Sequence, residues 1–338
     1  MTNHLSPTIK LPTVRFKGFW RLQARRDGKL RADTGWIEDR ADTGWIPNLI
    51  TNIGLEAIGE ALAIGRYCVV GTGNTAPTTA NTALQSPVAV RDFNGATSTG
   101  IVTTGDRYGW QRRTYVFAEG AVTGTIAEVG VGWSYSVSTP LLSRSLVSPA
   151  VTIVALDQLT CVYELRMYLP TADSTGSVTI NGTPYNFTVR PIQASNSLNA
   201  GFQNYGWSPG LLALSNTTRQ WVSTNPGASF YGARAYRAPC ILTPIDNTGL
   251  LESTGPDVNA TSDYADGYTN HTYVPASLEA TYDTEWSIAR ANWPGVGIQG
   301  FVFTGLFGTY QCILNTPIMD KNSTTRLQMN WKQSWARR

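Results

Sequence analysis

A chain of 338 residues with a formal net charge of +3 and only 14% charged residues is neither a strongly basic nucleic-acid coat nor an acidic disordered tail. Its hydrophobic share of 42% supports a sizeable core without metals or crosslinks. The most basic stretches, Arg21 to Lys29, Arg112-Arg113 and Arg337-Arg338, are each short, so no nucleic acid is expected as a partner.

Thr, Ser, Asn and Gly supply the polarity instead. The 15 Tyr and 11 Trp favour strands, while the 32 Gly and 18 Pro punctuate turns. Many short strands joined by tight turns follow from that balance. At roughly 150 residues per domain, the length fits one large or two medium domains. No window approaches the roughly 18 apolar residues of a membrane span.

In chain order, Val14, Phe16, Gly18 and Trp20 alternate with Arg15, Lys17, Phe19 and Arg21, and Asp27-Gly28 supplies a hairpin turn. Ala32-Asp33-Thr34-Gly35-Trp36-Ile37 then recurs as Ala41-Asp42-Thr43-Gly44-Trp45-Ile46. The odd offset would put the two Trp on opposite faces of one strand. The repeat therefore reads as a duplication that lengthens a loop, where closure entropy grows slowly. Ile50, Ile53, Ala57, Ile58, Ala61 and Leu62 recur at helical spacing behind a cap at Asn48 or Thr51, and Gly65 is placed to stop the run. One helix over residues 51 to 64 is predicted, lying on a sheet. Tyr67-Cys68-Val69-Val70 runs into the glycine turn Gly71-Thr72-Gly73, and residues 74 to 100 read as an exposed connection.

Gly130 and Gly132, set between Val129, Val131 and Trp133, predict a strand that another backbone approaches closely. Leu159, Cys161, Tyr163, Leu165, Met167 and Leu169 alternate with Thr160, Val162, Glu164, Arg166 and Tyr168, the mark of a half-buried antiparallel strand. Asn181-Gly182 between Val178, Ile180 and Tyr185, Phe187, Val189 is the strongest hairpin signal in the chain. Residues 191 to 275 scatter aromatics among Gly, Asn, Ser and Pro, and read as an irregular insertion or a second β domain. Alternation returns at Leu278, Ala280 and Tyr282. It closes with Leu327, Met329 and Trp331 opposed to Arg326, Gln328, Asn330 and Lys332. That last strand is expected to pair inside a sheet, because an unpaired apolar tail invites aggregation.

The cysteines Cys68, Cys161, Cys240 and Cys312 lack metal-binding spacing. Cys161 and Cys312 sit among apolar residues and read as buried small hydrophobes, free thiols of a protein made in a reducing cytoplasm. Met1 to Lys17 lacks the apolar stretch of a signal peptide.

Several segments resemble a family of tailed-bacteriophage virion structural proteins, of tail-fibre or tail-tip type. They are Trp45-Ile46-Pro47-Asn48-Leu49-Ile50-Thr51-Asn52 with Gly54-Leu55, then Val70-Gly71-Thr72-Gly73-Asn74-Thr75-Ala76-Pro77 with Asn81-Thr82-Ala83-Leu84. Ile126-Ala127-Glu128-Val129-Gly130-Val131-Gly132-Trp133, Leu142-Ser143-Arg144, Val162-Tyr163-Glu164-Leu165-Arg166 and the ending from Leu327 to Trp335 followed by Arg337-Arg338 continue it in the same order. The resemblance implies a particle component and no reaction. Residues 191 to 275 carry none of it.

Catalytic signals are weak. Gly206-Trp207-Ser208-Pro209-Gly210 matches G-x-S-x-G, but Pro209 removes the backbone N–H that an oxyanion hole needs. Asp263 or Asp266 and then His271 follow in a workable order. His4 and His271 are the only histidines, so a histidine metal triad within one chain is impossible. Asp257, Asn259, Asp263, Asp266 and Asn270 lack calcium-loop spacing. Glu252, Asp257, Glu279, Asp283 and Glu285 offer carboxylates but no marked pair. No catalytic residue, cofactor or metal is expected.

The expected fold is mainly β, an antiparallel sandwich or jelly-roll-like arrangement with one short α-helix near the N-terminal third. Residues 1–190 form a β-rich attachment or structural domain, and 191–338 a second β region with aromatic-rich loops whose last strand returns to the core. The expected role is a virion subunit of the tail fibre, tail tip or baseplate, bound to other tail proteins and to copies of itself, with a trimer as the inferred state. A receptor-binding module for a host glycan or protein is the alternative, and a neck, collar or capsid-decorating fibre the third. Trp207, Trp221, Tyr231, Tyr236, Tyr264, Tyr268 and Tyr273 are the candidate receptor or partner contacts, with Trp286 and Trp293 nearby, because aromatic rings stack on sugars and anchor interfaces.

Overall fold

The computed structural model describes residues 7–34, 48–60, 64–94, 97–102, 105–168, 170–192, 232–242, 252–253, 264–305 and 307–338. The chain is mainly β, with 61% of the described residues in strands and 3% in helix. β1 (Thr8–Lys10), β2 (Val14–Arg26), β3 (Lys29–Asp33) and β4 (Leu49–Ile50) precede helix α1 (Asn52–Gly59). β5 (Tyr67–Gly71), β6 (Pro87–Asp92), β7 (Thr97–Val102), β8 (Tyr108–Phe117), β9 (Gly124–Gly132), β10 (Leu141–Ile153) and β11 (Gln158–Tyr168) follow. Next come β12 (Ser174–Ile180), β13 (Thr183–Ile192), β14 (Gly232–Arg237), β15 (Cys240–Ile241), β16 (Glu252–Ser253) and β17 (Tyr264–Asp266). β18 (Tyr268–Tyr273), β19 (Glu279–Trp286), β20 (Ile298–Gly305), β21 (Gly308–Ile318) and β22 (Leu327–Arg337) complete the order.

Three main sheets pack in a sandwich-like, curled arrangement. The nine-stranded sheet runs β18-β19-β22-β2-β11-β8-β7, with β1 beside β22 and β3 beside β2. The five-stranded sheet runs β4-β10-β9-β5-β6, and the six-stranded sheet β12-β13-β21-β20-β14-β17. β15 and β16 form a separate pair.

Turn chemistry fixes the register as the sequence requires. Asp27-Gly28 closes β2 onto β3 with φ of 49° and 73°, and Asn181-Gly182 closes β12 onto β13 with φ of 49° and 81°. β11 lies between β2 and β8, with Leu159, Cys161, Tyr163, Leu165 and Met167 buried on its inner face. β22 is an interior strand, antiparallel to β19 and parallel to β1 and β2. A Cβ on Gly132 would collide with the Pro140 carbonyl, which is the close backbone approach that the glycine spacing announces.

One core cluster runs through all three sheets. Trp331 stacks on Tyr282 at 3.7 Å and meets Phe303 at 5.3 Å, while Phe307 sits edge-on to Phe16 and Trp335, each at 5.2 Å. The buried Gln333 amide satisfies this layer, accepting from Phe307 N at 3.0 Å and donating to Phe307 O at 3.1 Å. All four cysteines are buried free thiols. Desolvation pushes the Cys68 and Cys312 thiols up, so both stay protonated.

Three expectations need correction. The helix ends at Gly59 and not at residue 64, because the Glu60 N–H closes the last turn on Glu56 O and Ile64-Gly65 lie in a turn. The stretch 74–100 is not only a connection. It holds β6 and β7, edge strands that pair on one side and so need little apolar pattern. Within 191–275, β14, β17 and β18 are regular sheet strands. The repeated Trp-Ile segment falls mainly in residues 35–47, outside the described residues.

Thr51 joins the helix to its sheet. Its hydroxyl accepts from Gly54 N at 2.9 Å and donates to the Leu141 carbonyl. The Trp335 indole N–H donates to Leu55 O at 2.9 Å from β22. Thr51→Val keeps the shape and removes both hydroxyl bonds. It should lower unfolding free energy by about 1–3 kcal/mol, read from the urea midpoint at unchanged m-value.

Candidate functional site

Segments far apart in sequence meet at one buried ion pair. Glu128 on β9 and Arg144 on β10 face each other with side chains 0% and 2% exposed. Arg144 Nε and Nη2 donate to Glu128 Oε2 at 3.0 and 2.8 Å. The same carboxylate accepts from the backbone amides of Gly73 at 3.2 Å, Gln85 at 3.1 Å and Ser86 at 2.7 Å. Arg144 spends its remaining donors on Asn81 Oδ1 and Thr75 O, both at 3.0 Å. Gly73 is needed where it stands, since a Cβ there would strike the Glu128 carboxylate.

The loop between β5 and β6 is therefore wrapped around a charge pair. Gln85 Oε1 binds Asn74 N at 3.1 Å and Thr75 N at 3.0 Å, and Asn81 Oδ1 binds Thr78 N at 2.7 Å. Both charges of the pair are buried and bonded to each other and to the loop. The pair's chemistry is positional.

A second constellation covers the outer face of the nine-stranded sheet. Cross-strand register places Arg15, Tyr168 and Tyr108 in one row, Lys17, Arg166 and Trp110 in the next, and Phe19, Glu164 and Arg112 in a third. Cations and rings thus share each row across β2, β11 and β8. The Arg166 guanidinium lies 3.6 Å over Phe19 and 4.6 Å over Tyr108, and Arg112 lies 4.4 Å over Trp110. Arg338 covers Tyr168 at 3.9 Å. Glu164 bridges Arg112 and Arg166. Burial opposes the charge on Arg166, but its bonds to Glu164 and Tyr168 outweigh that and hold its pKa above the ordinary value. Stacked guanidiniums of this kind keep their charge and turn their N–H edges away from the ring.

Of the aromatic candidates, Trp207, Trp221 and Tyr231 lie outside the described residues. Tyr236 and Tyr264 come together on the outer face of the six-stranded sheet, ring centroids 6.0 Å apart. Arg234 lies 3.9 Å over Tyr264 and binds Asp266 at 2.8 Å. Tyr236 is only 6% exposed. Tyr268 and Tyr273 occupy opposite ends and opposite faces of β18. Tyr268 is 72% exposed, whereas Tyr273 packs 5.4 Å from Trp335 and donates to Glu56. Trp286 is a core residue and Trp293 packs against the core.

The sequence 206–210 and Asp257, Asn259 and Asp263 also fall outside the described residues. His271 packs on Tyr282 at 5.0 Å, and desolvation lowers its pKa. Glu279 pairs with Lys332 at 2.6 Å and Glu285 with Arg326 at 2.8 Å. Among the described residues, no three His, Cys, Asp or Glu gather as a metal site, and no helix is long and apolar enough to cross a membrane. Sequence reading missed the cation–ring lattice, because its rows exist only once three strands are aligned.

Neither a protein-family model, nor a curated protein, nor a solved structure matches the chain.

Removing one partner of a buried pair leaves an uncompensated charge. Arg144→Met should cost about 3–5 kcal/mol and make the 72–86 loop cleavable by thermolysin. Glu128→Leu with Arg144→Met together should recover part of that loss, since no ion then stays buried. Additive losses in urea unfolding would contradict the pairing.

Proposed function

We propose that this chain is a non-enzymatic structural subunit of a tailed-phage particle, most suited to the tail fibre, tail tip or baseplate. The observation that carries the reading is the convergence at Glu128 and Arg144. Phage-like segments around residues 70–85, 126–133 and 142–144 supply the two charges, the loop they hold and the glycine that fits it. That segments resembling the family in one order also meet in space supports this reading.

The surface supports the same role. Much of it is uncharged hydroxyl and amide, with Arg and aromatic side chains set on flat sheet, the composition that interfaces favour. Among the described residues, β7, β6, β12 and β17 are sheet edges and offer further backbone donors and acceptors to neighbours. We take the working state to be a homotrimer built into the virion, since closed symmetric oligomers are the default for such parts. The exposed Tyr268 and the Tyr264 ring beside the Arg234–Asp266 bridge favour a second reading, contact with a host-surface receptor.

Immunogold labelling of density-purified particles from the encoding phage tests the first reading. Gold on the tail is expected. A label confined to the unassembled lysate would overturn it. Light scattering of the purified chain should return about three times its 36.8 kDa mass.

A further inference from the structure

Beside the cation–ring lattice lies a cleft of about 450 Å³, formed where the segment before β2, the turn before β8 and the segment after β11 meet the chain's last residue. Three guanidinium side chains line it, from Arg15, Arg107 and Arg338, and Asp106 is the one acidic side chain in the lining. Arg338 is held in place between the Tyr168 ring and Asp106. Pro12, Pro170 and Ala172 give apolar wall, and Thr13 and Thr171 add hydroxyls.

We propose that this cleft binds a sugar acid, a pyranose bearing a carboxylate, as found in uronate-containing polysaccharides. Each part of the lining has a use in that ligand. Guanidinium groups bind carboxylates with paired N–H donors. Threonine hydroxyls suit ring hydroxyls, and proline and alanine suit the C–H face of the ring. The ring faces of Phe19 and Tyr168 already carry guanidiniums, so they are not open to stacked nucleobases, and the volume matches one or two sugar units better than a protein surface. The local charge is positive and extends outward through Lys17 and Arg166 along the next row of the lattice, which would continue to attract an acidic chain beyond the first unit. The inference is independent of the particle reading. Its failure would leave that reading untouched.

Calorimetric titration of the full chain with tetragalacturonate, at low and at physiological salt, tests it. Saturable binding that weakens with salt is expected, with no binding of neutral maltotetraose. Arg15→Ala with Arg107→Ala should weaken binding by about tenfold or more, with circular dichroism confirming that the variant keeps its fold. Asp106→Asn removes the carboxylate that competes for Arg338 and should tighten binding several-fold. Absence of saturable binding by the unaltered chain would overturn the assignment. So would unchanged affinity in both variants, or inorganic phosphate or a tetraglutamate peptide binding as tightly as the sugar acid.

Discussion

A carboxylate and a guanidinium can be buried together only if every strong donor and acceptor they carry is used, because stripping water from each ion costs several kcal/mol. Glu128 and Arg144 come close to that condition by drafting the backbone, with both carboxylate oxygens and all three guanidinium nitrogens bonded. Three amides and the guanidinium point at one carboxylate, and the guanidinium reaches on to a side-chain amide and a carbonyl of the same loop. The pair therefore specifies the shape of the 72–86 loop more than it adds stability. Apolar residues of equal volume would cost less to bury but would give the loop no reason to choose one path.

That loop matters because of where it runs. It links β5 to β6, and β5 sits directly against β9, the strand that carries Glu128. On the far side, β10 carries Arg144 and touches α1 through Leu141 and Thr51. The helix is in turn tied to β22 through Trp335. One path of hydrogen bonds thus runs from the loop through the five-stranded sheet to the strand that ends the chain. Outside this frame the nine-stranded sheet shows a different balance. Its outward arginines are partnered by rings and one shared carboxylate, which keeps a basic face compact without neutralising it. A rigid interior and a charged, flat exterior suit a part that assembles.

Much of the architecture was legible in the sequence. Period-two patterning located β2, β11, β19 and β22, and the Asp27-Gly28 and Asn181-Gly182 dipeptides located two hairpins, because side-chain alternation and positive φ are local constraints. Edge strands β6 and β7 escaped, since pairing on one side leaves little apolar signature. Of the two caps the sequence offers, Asn48 and Thr51, the structure uses Thr51, and Ala61 and Leu62 keep the helical spacing beyond the end of the helix at Gly59. The site was less legible. Glu128 and Arg144 occur in separate sequence segments, and nothing in either names the other as partner. Arg15, Tyr168 and Tyr108 share a row only through three-strand register. Tyr268 and Tyr273 look equivalent in sequence, yet an odd spacing sends one to solvent and one to the core.

The central claim is that the buried pair holds the 72–86 loop as firmly as the sheets. Hydrogen exchange of individual backbone amides measures this directly. The amides of Gly73, Gln85 and Ser86, each bonded to Glu128, should exchange as slowly as those in the middle of β9. Rapid exchange at all three, at the rate of an open loop, would contradict the account.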